Sequence, residues 1–164
     1  MIKKILIGIV VIVVGLYLFG LTRTSEIRTE IEIAAPPEEV WRVLTDFASY
    51  PEWSPFIRKI EGQAAVGETL TVEMQPIDQD SSQTFTPELL VVDDNEELRW
   101  LGQLFVPGIF DGEHYFEIVA DGDGSRLVHG EKFKGILLIA IDVNDFVPSF
   151  EATNTAMKER VEGG

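Results

Sequence analysis

The chain has 164 residues, 45% of them hydrophobic, no cysteine, and a formal net charge of −15. That charge repels a phosphate backbone and no basic stripe offsets it, so nucleic acid is excluded as a partner. The missing cysteines exclude disulfides, thiolate nucleophiles and thiolate metal ligands.

Residues 1–4 form a short basic amino terminus with Lys3 and Lys4, and residues 5–21, Ile5 to Leu21, are uncharged and mostly apolar. As a helix rising ~1.5 Å per residue, they span roughly 26 Å, close to a bilayer's hydrocarbon core. In lipid the backbone must satisfy itself, which makes helix the only form open to a single span. The run exceeds the ~7–15 apolar residues of a cleaved secretory signal, and Gly20 to Ser25 holds no small-x-small cleavage site. It reads as a retained single-pass anchor that makes the membrane a partner through residues 5–21. Lys3 and Lys4 on one side and Arg23 and Arg28 on the other nearly balance, and the orientation taken is amino terminus inside, domain outside.

Residues 22–28 read as a linker and residues 29–162 as one folded domain, long enough to bury its own core. Thr29 to Ala35 alternates Ile31 and Ile33 with Glu30 and Glu32, the pattern of a half-buried strand. Pro36-Pro37 and Glu38-Glu39 open a helix carrying Val40, Trp41, Leu44 and Phe47. The prolines at 51 and 55 force a turn or a second short helix. From Ile57 the rhythm is two-fold, giving strands over 57–61, 69–75, 84–92, 97–103, 113–120 and 126–135, with Gly, Asp and Asn between them. Phe146, Phe150, Thr153, Met157 and Val161 recur at three or four residues, and Pro148 suits the first turn of a long closing helix. The order is that of an α+β domain, an antiparallel sheet with helices on one side.

Residues 35–47 (Ala35-Pro-Pro-Glu-Glu-Val-Trp-Arg-Val-Leu-Thr-Asp-Phe47), followed by Tyr50-Pro-Glu-Trp-Ser-Pro-Phe56, resemble the opening of the SRPBCC superfamily. More narrowly they resemble the polyketide cyclase/dehydrase and lipid-transport family among the START-related helix-grip proteins. Asp123 to His129, Glu131, Phe133, Gly135 and Asn154 to Lys158 agree, and the resemblance covers roughly Arg28 to Glu162. It implies a curved seven-stranded antiparallel sheet gripping a long carboxy-terminal helix, with two short helices after the first strand. It also implies a cavity between sheet and helix for a hydrophobic or amphipathic ligand. Members resembling this chain usually lack a membrane helix, so the anchor is a departure.

The turn in Asp121 to Gly124 suggests one register, and a slip of one residue from it would turn His129 and Glu131 to solvent. Centred on Gly122-Asp123, the turn sets His114 opposite Glu131, Phe116 opposite His129 and Ile118 opposite Leu127, all on one face of the sheet. The apolar members make that the buried face. A carboxylate beside an imidazole fixes its tautomer and raises its basicity, so His114 and Glu131 are the acid–base candidates. The alternative is a buried polar pair that serves structure alone. Two histidines and a glutamate on facing strands rarely converge on one ion, so no metal and no cofactor is assigned. Asp121 to Ser125 fails as a calcium loop because Arg126 stands where the invariant glycine is needed.

Trp41, Trp53, Trp100, Tyr115 and Phe133 are aromatics able to border a pocket, and Trp53, Trp100 and Phe133 are the ones chosen. With His114, Phe116, His129, Glu131, Phe150 and Met157, they make the expected ligand-binding set. Phe105 to Phe110 is an apolar loop suited either to a lipid-touching gate or to packing under the last helix. Three functions stand at this level. The first is a membrane-anchored protein holding a lipid-like, quinone-like or polyketide-like molecule. The second is a cyclase, dehydratase or hydrolase using His114 and Glu131. The third is an interaction module with a closed cavity, whose protein partner the sequence does not name.

Overall fold

The computed structural model describes residues 2–163. Helix α1 (Ile2–Gly20) is long and apolar enough to cross a membrane. Every residue from Ile2 to Leu16 is exposed, and only its carboxy-terminal end touches the domain. There the backbone of Ile136 leaves Gly20 no room for a Cβ, Leu21 and Tyr17 pack on Gly108, and the Tyr17 hydroxyl donates to Pro107 O at 2.8 Å.

Strand β1 (Thr24–Ile33) begins five residues before the expected Thr29 and takes in most of the expected linker. The alternation extends backwards because Ile27 is an inward position in step with Ile31 and Ile33. The partner strand also offers ten consecutive pairs, from Thr24↔Lys134 to Ile33↔Ser125. Helix α2 (Pro37–Thr45) buries Val40, Val43 and Leu44 and carries Pro37 and two acids in its first turn. A 3₁₀ turn (Phe47–Ser49) and the single-turn α3 (Tyr50–Trp53) follow, and the Tyr50 hydroxyl is tied back to Leu44 O at 2.8 Å.

The remaining strands are β2 (Ile57–Glu61), β3 (Thr71–Met74), β4 (Gln83–Phe85), β5 (Glu88–Asp93), β6 (Glu97–Gln103), β7 (Asp111–Asp121) and β8 (Gly124–Lys134). They form a five-stranded sheet in the order β1-β8-β7-β6-β5 and a three-stranded sheet β2-β3-β4, all antiparallel where paired. The one strand expected across 84–92 is thus two, broken at Thr86-Pro87, where proline has no N–H to give a ladder. Pro87 still accepts from Leu70 N, and Leu89 bonds Glu68 and Gly67, so the two sheets continue into one another at the break.

Helix α4 (Val147–Glu162), with Pro148 in its first turn, lies in the sheet's concave face. It buries Phe150, Thr153, Asn154 and Met157 against Leu98, Phe116 and Leu127. Its far end is pinned to β1 by Lys158 Nζ donating to Glu32 O and by Ala34 N donating to Glu162. On the convex face Arg99 pairs with Glu97, Glu113 and Glu117 and stacks over Tyr115, whose ring covers Gly130. The helix-grip architecture is therefore present, with the core between the concave face and α4.

Candidate functional site

The site is built on the β7–β8 hairpin. Asp121 pairs with Gly124, and Gly122 supplies a left-handed φ of 60°, the conformation a tight two-residue turn takes at its first central position. Counting back from the turn, His114 pairs with Glu131, Phe116 with His129 and Ile118 with Leu127. The register read from the turn residues is the register of the molecule.

The inward side chains join into a continuous polar chain inside an aromatic shell. Glu131 Oε2 lies 3.0 Å from His114 Nδ1, and His114 Nε2 lies 2.8 Å from His129 Nε2. His129 Nδ1 lies 2.8 Å from Asn154 Oδ1 on α4, and Asn154 Nδ2 donates to Thr29 Oγ1 on β1 at 2.8 Å. Thr29 Oγ1 donates to His129 O at 2.9 Å. Trp100 stacks on His114 with ring centres 4.8 Å apart, and Phe116 and Phe150 sandwich His129 at 4.3 and 4.4 Å. Both histidines are fully buried, and no buried side-chain polar atom among the described residues lacks a partner. Three elements, β1, the hairpin and α4, are locked together through five polar groups.

Burial governs the protonation of this chain. It pushes the Glu131 carboxyl up to about 8 and the His114 imidazole down to about 3. His129 is lowered well below its ordinary value, first by burial and then by the neighbouring His114. The carboxylate expected to make His114 more basic is thus overruled: at neutral pH both rings are neutral and the acid keeps its proton. Desolvation of charge in this aromatic setting outweighs the pair's mutual attraction.

Next to the chain lies an apolar cavity of about 210 Å³. Among the described residues Glu131 is the sole ionisable side chain in its wall, and its Oε1 sits over Gly112, where a Cβ would collide with it. Trp100, Phe133 and Phe150, all expected at a ligand, also line the wall. His114, Phe116, His129 and Met157 do not; His114 and His129 stand behind the wall residues Trp100 and Phe150, which stack on them. Trp53 is a correction: it leans on Tyr50 with ring centres 4.7 Å apart and donates Nε1 to Ser49 Oγ, because α3 turns its indole away from the cavity. Tyr115 is on the convex face, bonded to Glu26 at 2.8 Å.

Thr29 and Asn154 were missed as members of the site. The signal for Asn154 was present, a polar residue in the inward stripe Phe150, Thr153, Met157; for Thr29 it was not, since a threonine in a strand is ordinary. Among the described residues no group of three His, Cys, Asp or Glu side chains is arranged to hold a metal ion. The two Nε2 atoms that a metal would need are spent on each other.

Comparison with known proteins adds the following. A family model described as polyketide cyclase / dehydrase and lipid transport matches residues 24–164. A START superfamily protein from Mycobacterium smegmatis superposes with a TM-score of 0.66 at 20% identity, covering 84% of this chain and 97% of that one. Ginseng major latex-like protein 151 from Panax ginseng gives 0.67 at 11% identity, covering 84% and 97%. Norcoclaurine synthase from Thalictrum flavum, solved with dopamine and hydroxybenzaldehyde, gives 0.64 at 18% identity, covering 87% and 89%. At these identities the likeness is one of fold. No curated protein matches the chain.

Proposed function

The chain belongs to the polyketide cyclase / dehydrase and lipid transport family, and on that premise we propose that it is a membrane-anchored binding protein for a hydrophobic or amphipathic small molecule. The ligand is lipid-like, quinone-like or polyketide-like, and it sits between the sheet and α4. The observation that carries this reading is the apolar cavity and the nearness of its wall to the anchor. Leu104, Phe110, Ile141 and Phe146 border it, and they adjoin the 104–110 loop and the Ile136–Ile139 turn on which the end of α1 rests.

Phe105, Val106 and Ile139 are exposed next to that contact, and exposed large apolar side chains clustered at the end of a spanning helix suit a bilayer surface. The anchor would thus hold the cavity at the membrane, with the amino terminus inside and the domain outside. The open cavity weighs against an interaction module with a closed interior.

Native mass spectrometry of the full chain, extracted from membranes in mild detergent, tests the reading. A bound lipid-sized mass that is lost on denaturation supports it. A chain that stays empty, and takes up no apolar molecule on incubation, overturns it.

A second reading, an enzyme of cyclase, dehydratase or hydrolase type, is favoured by one observation: a carboxyl with a raised pKa in an apolar wall is suited to donate a proton at neutral pH. In that case Glu131 touches substrate and His114, a layer behind, positions it. Loss of turnover by ~10²-fold or more in Glu131→Gln, with ligand retained, would select this reading.

A further inference from the structure

The hydrogen positions in the buried chain follow from its far end. Thr29 has one hydroxyl proton and gives it to His129 O at 2.9 Å. Its oxygen is then an acceptor and takes Asn154 Nδ2–H, which turns Asn154 Oδ1 towards His129 Nδ1. His129 Nδ1 therefore carries a proton. A neutral imidazole has one N–H, so His129 Nε2 is a lone pair, and the 2.8 Å contact is filled by His114 Nε2–H. His114 Nδ1 is then a lone pair in turn. The hydrogen between it and Glu131 Oε2, 3.0 Å away, has to come from the carboxyl.

With both rings neutral each link is forced by the one before, and an ionised Glu131 would then leave two lone pairs facing each other. The other filling of the line, a Glu131 carboxylate against a His114 imidazolium, would bury an ion pair in the shell of Trp100, Phe116 and Phe150, which desolvation disfavours. Across the ladder Glu131 pairs with Ile27 on β1 and His114 on β7, and neither brings a cation.

The consequence lies at the cavity. The acid's proton points away from it, into the chain, and Oε1 remains as a neutral carbonyl acceptor over Gly112. The other polar side chains of the wall are Gln79, Gln83 and Gln103, and the rest is apolar or aromatic. We propose that the ligand is an apolar molecule bearing a neutral O–H or N–H donor, received by Glu131 Oε1, and that molecules ending in a carboxylate or phosphate are rejected there. At Glu131 an anion would meet a carbonyl oxygen with no donor to offer, in a wall whose other polar side chains are neutral glutamine amides and not cations, and burying its charge there is costly. This rests on the binding reading above and names the ligand chemistry of the same cavity.

The test uses the full chain in nanodiscs of ether-linked lipid, which keeps ester carbonyls out of the infrared window. The wild type at neutral pH should show the carbonyl band of a protonated carboxylic acid that Glu131→Gln lacks. Adding 2-naphthol should move that band to lower frequency and quench tryptophan fluorescence, with affinity about five- to tenfold above that for naphthalene, the effect of one hydrogen bond to a buried acceptor. 2-Naphthoate should bind more weakly than either.

In Glu131→Gln the amide donates to His114 in place of the acid and keeps Oε1 towards the cavity, so the naphthol preference should survive. In Glu131→Leu it should vanish. Absence of the acid band, or equal affinity for naphthol and naphthalene in the wild type, overturns the inference while leaving the cavity as a binding site. Failure of all three probes to bind overturns the binding reading and this inference with it.

Discussion

His114 and His129, one on each strand of the β7–β8 hairpin, face each other through their Nε2 atoms at 2.8 Å. Two like nitrogens at that distance share one proton, so the rings must be opposite tautomers. Nitrogen-15 NMR of the imidazoles should show His114 as the Nε2–H form and His129 as the Nδ1–H form, unchanged between pH 5 and 7. Two rings in the same tautomer, or titration of either in that range, would contradict the chain.

Asn154 joins α4 to both β1 and β8 and is 2% exposed. Asn154→Ala removes the side-chain acceptor of the His129 N–H and the amide donor to Thr29. The expected loss is about 2–4 kcal/mol in denaturant unfolding, larger than an exposed asparagine on a helix would give. A loss under about 0.5 kcal/mol would mean that the chain contributes nothing to stability.

Stability should pass through a maximum near neutral pH. Between its ordinary value of 4.5 and about 8, Glu131 in the folded protein holds a proton that the unfolded chain has released, so stability falls as pH rises through that window. The histidines act oppositely. Below their ordinary 6.5 the unfolded chain takes up protons that the folded protein refuses, down to about 3 for His114, so stability falls as pH drops. Glu131→Gln should flatten the alkaline side, where the slope approaches at most about 1.4 kcal/mol per pH unit, steepen the acid side between 4.5 and 6.5, where Glu131 had opposed the histidines, and leave the profile below 4.5 unchanged. Identical pH profiles for the two proteins would show that Glu131 ionises normally.

Gly130 is needed for space. A Cβ there meets the Tyr115 ring and, at 2.6 Å, the backbone oxygen of Ile27 on β1. A ring can tilt, but a ladder carbonyl cannot retreat without opening the β1–β8 pairing. Gly130→Ala should therefore cost about 2–4 kcal/mol, read as a lowered denaturation midpoint. Gly67→Ala, in open space but at a φ of 84°, should cost only about 1 kcal/mol, the strain of a left-handed residue.

The absence of native cysteine makes single-site labels clean. A nitroxide on Phe105→Cys in nanodiscs should be relaxed by oxygen more than by a polar nickel reagent, as for a site in the bilayer interface. One on Asp123→Cys, at the other end of the eleven-residue β7 and β8 strands and so about 30 Å away, should show the reverse. Equal access of the polar reagent at both sites would detach the Phe105 loop beside the cavity from the membrane.

The parts of the site legible beforehand were those fixed by local chemistry. Asp121-Gly122-Asp123-Gly124 specified a tight turn, and a strand's period of two carried that register seven residues along each strand to His114 and Glu131. Trp53 was misplaced because the direction of an indole on a one-turn helix is set by what packs around it, here Tyr50 and Ser49. The start of β1 was misplaced because charged residues flank Ile27, and only a partner strand ending at Lys134 shows that pairing continues to Thr24.

The sequence by itself determined the order of elements and with it the α+β class, the apolar segment able to span a bilayer and the hairpin register, while the helix-grip class followed from the resemblance of residues 35–56 to a known family. The elements, the segment and the register depend on periodicity, turn residues and length, which act between near neighbours. Tertiary structure alone decided the sign of the protonation. Glu131 beside His114 reads in sequence as a charged, activated pair. Only the closing of α4 over the sheet, with Phe150 on His129 and Asn154 at the end of the line, removes the water that would have sustained those charges.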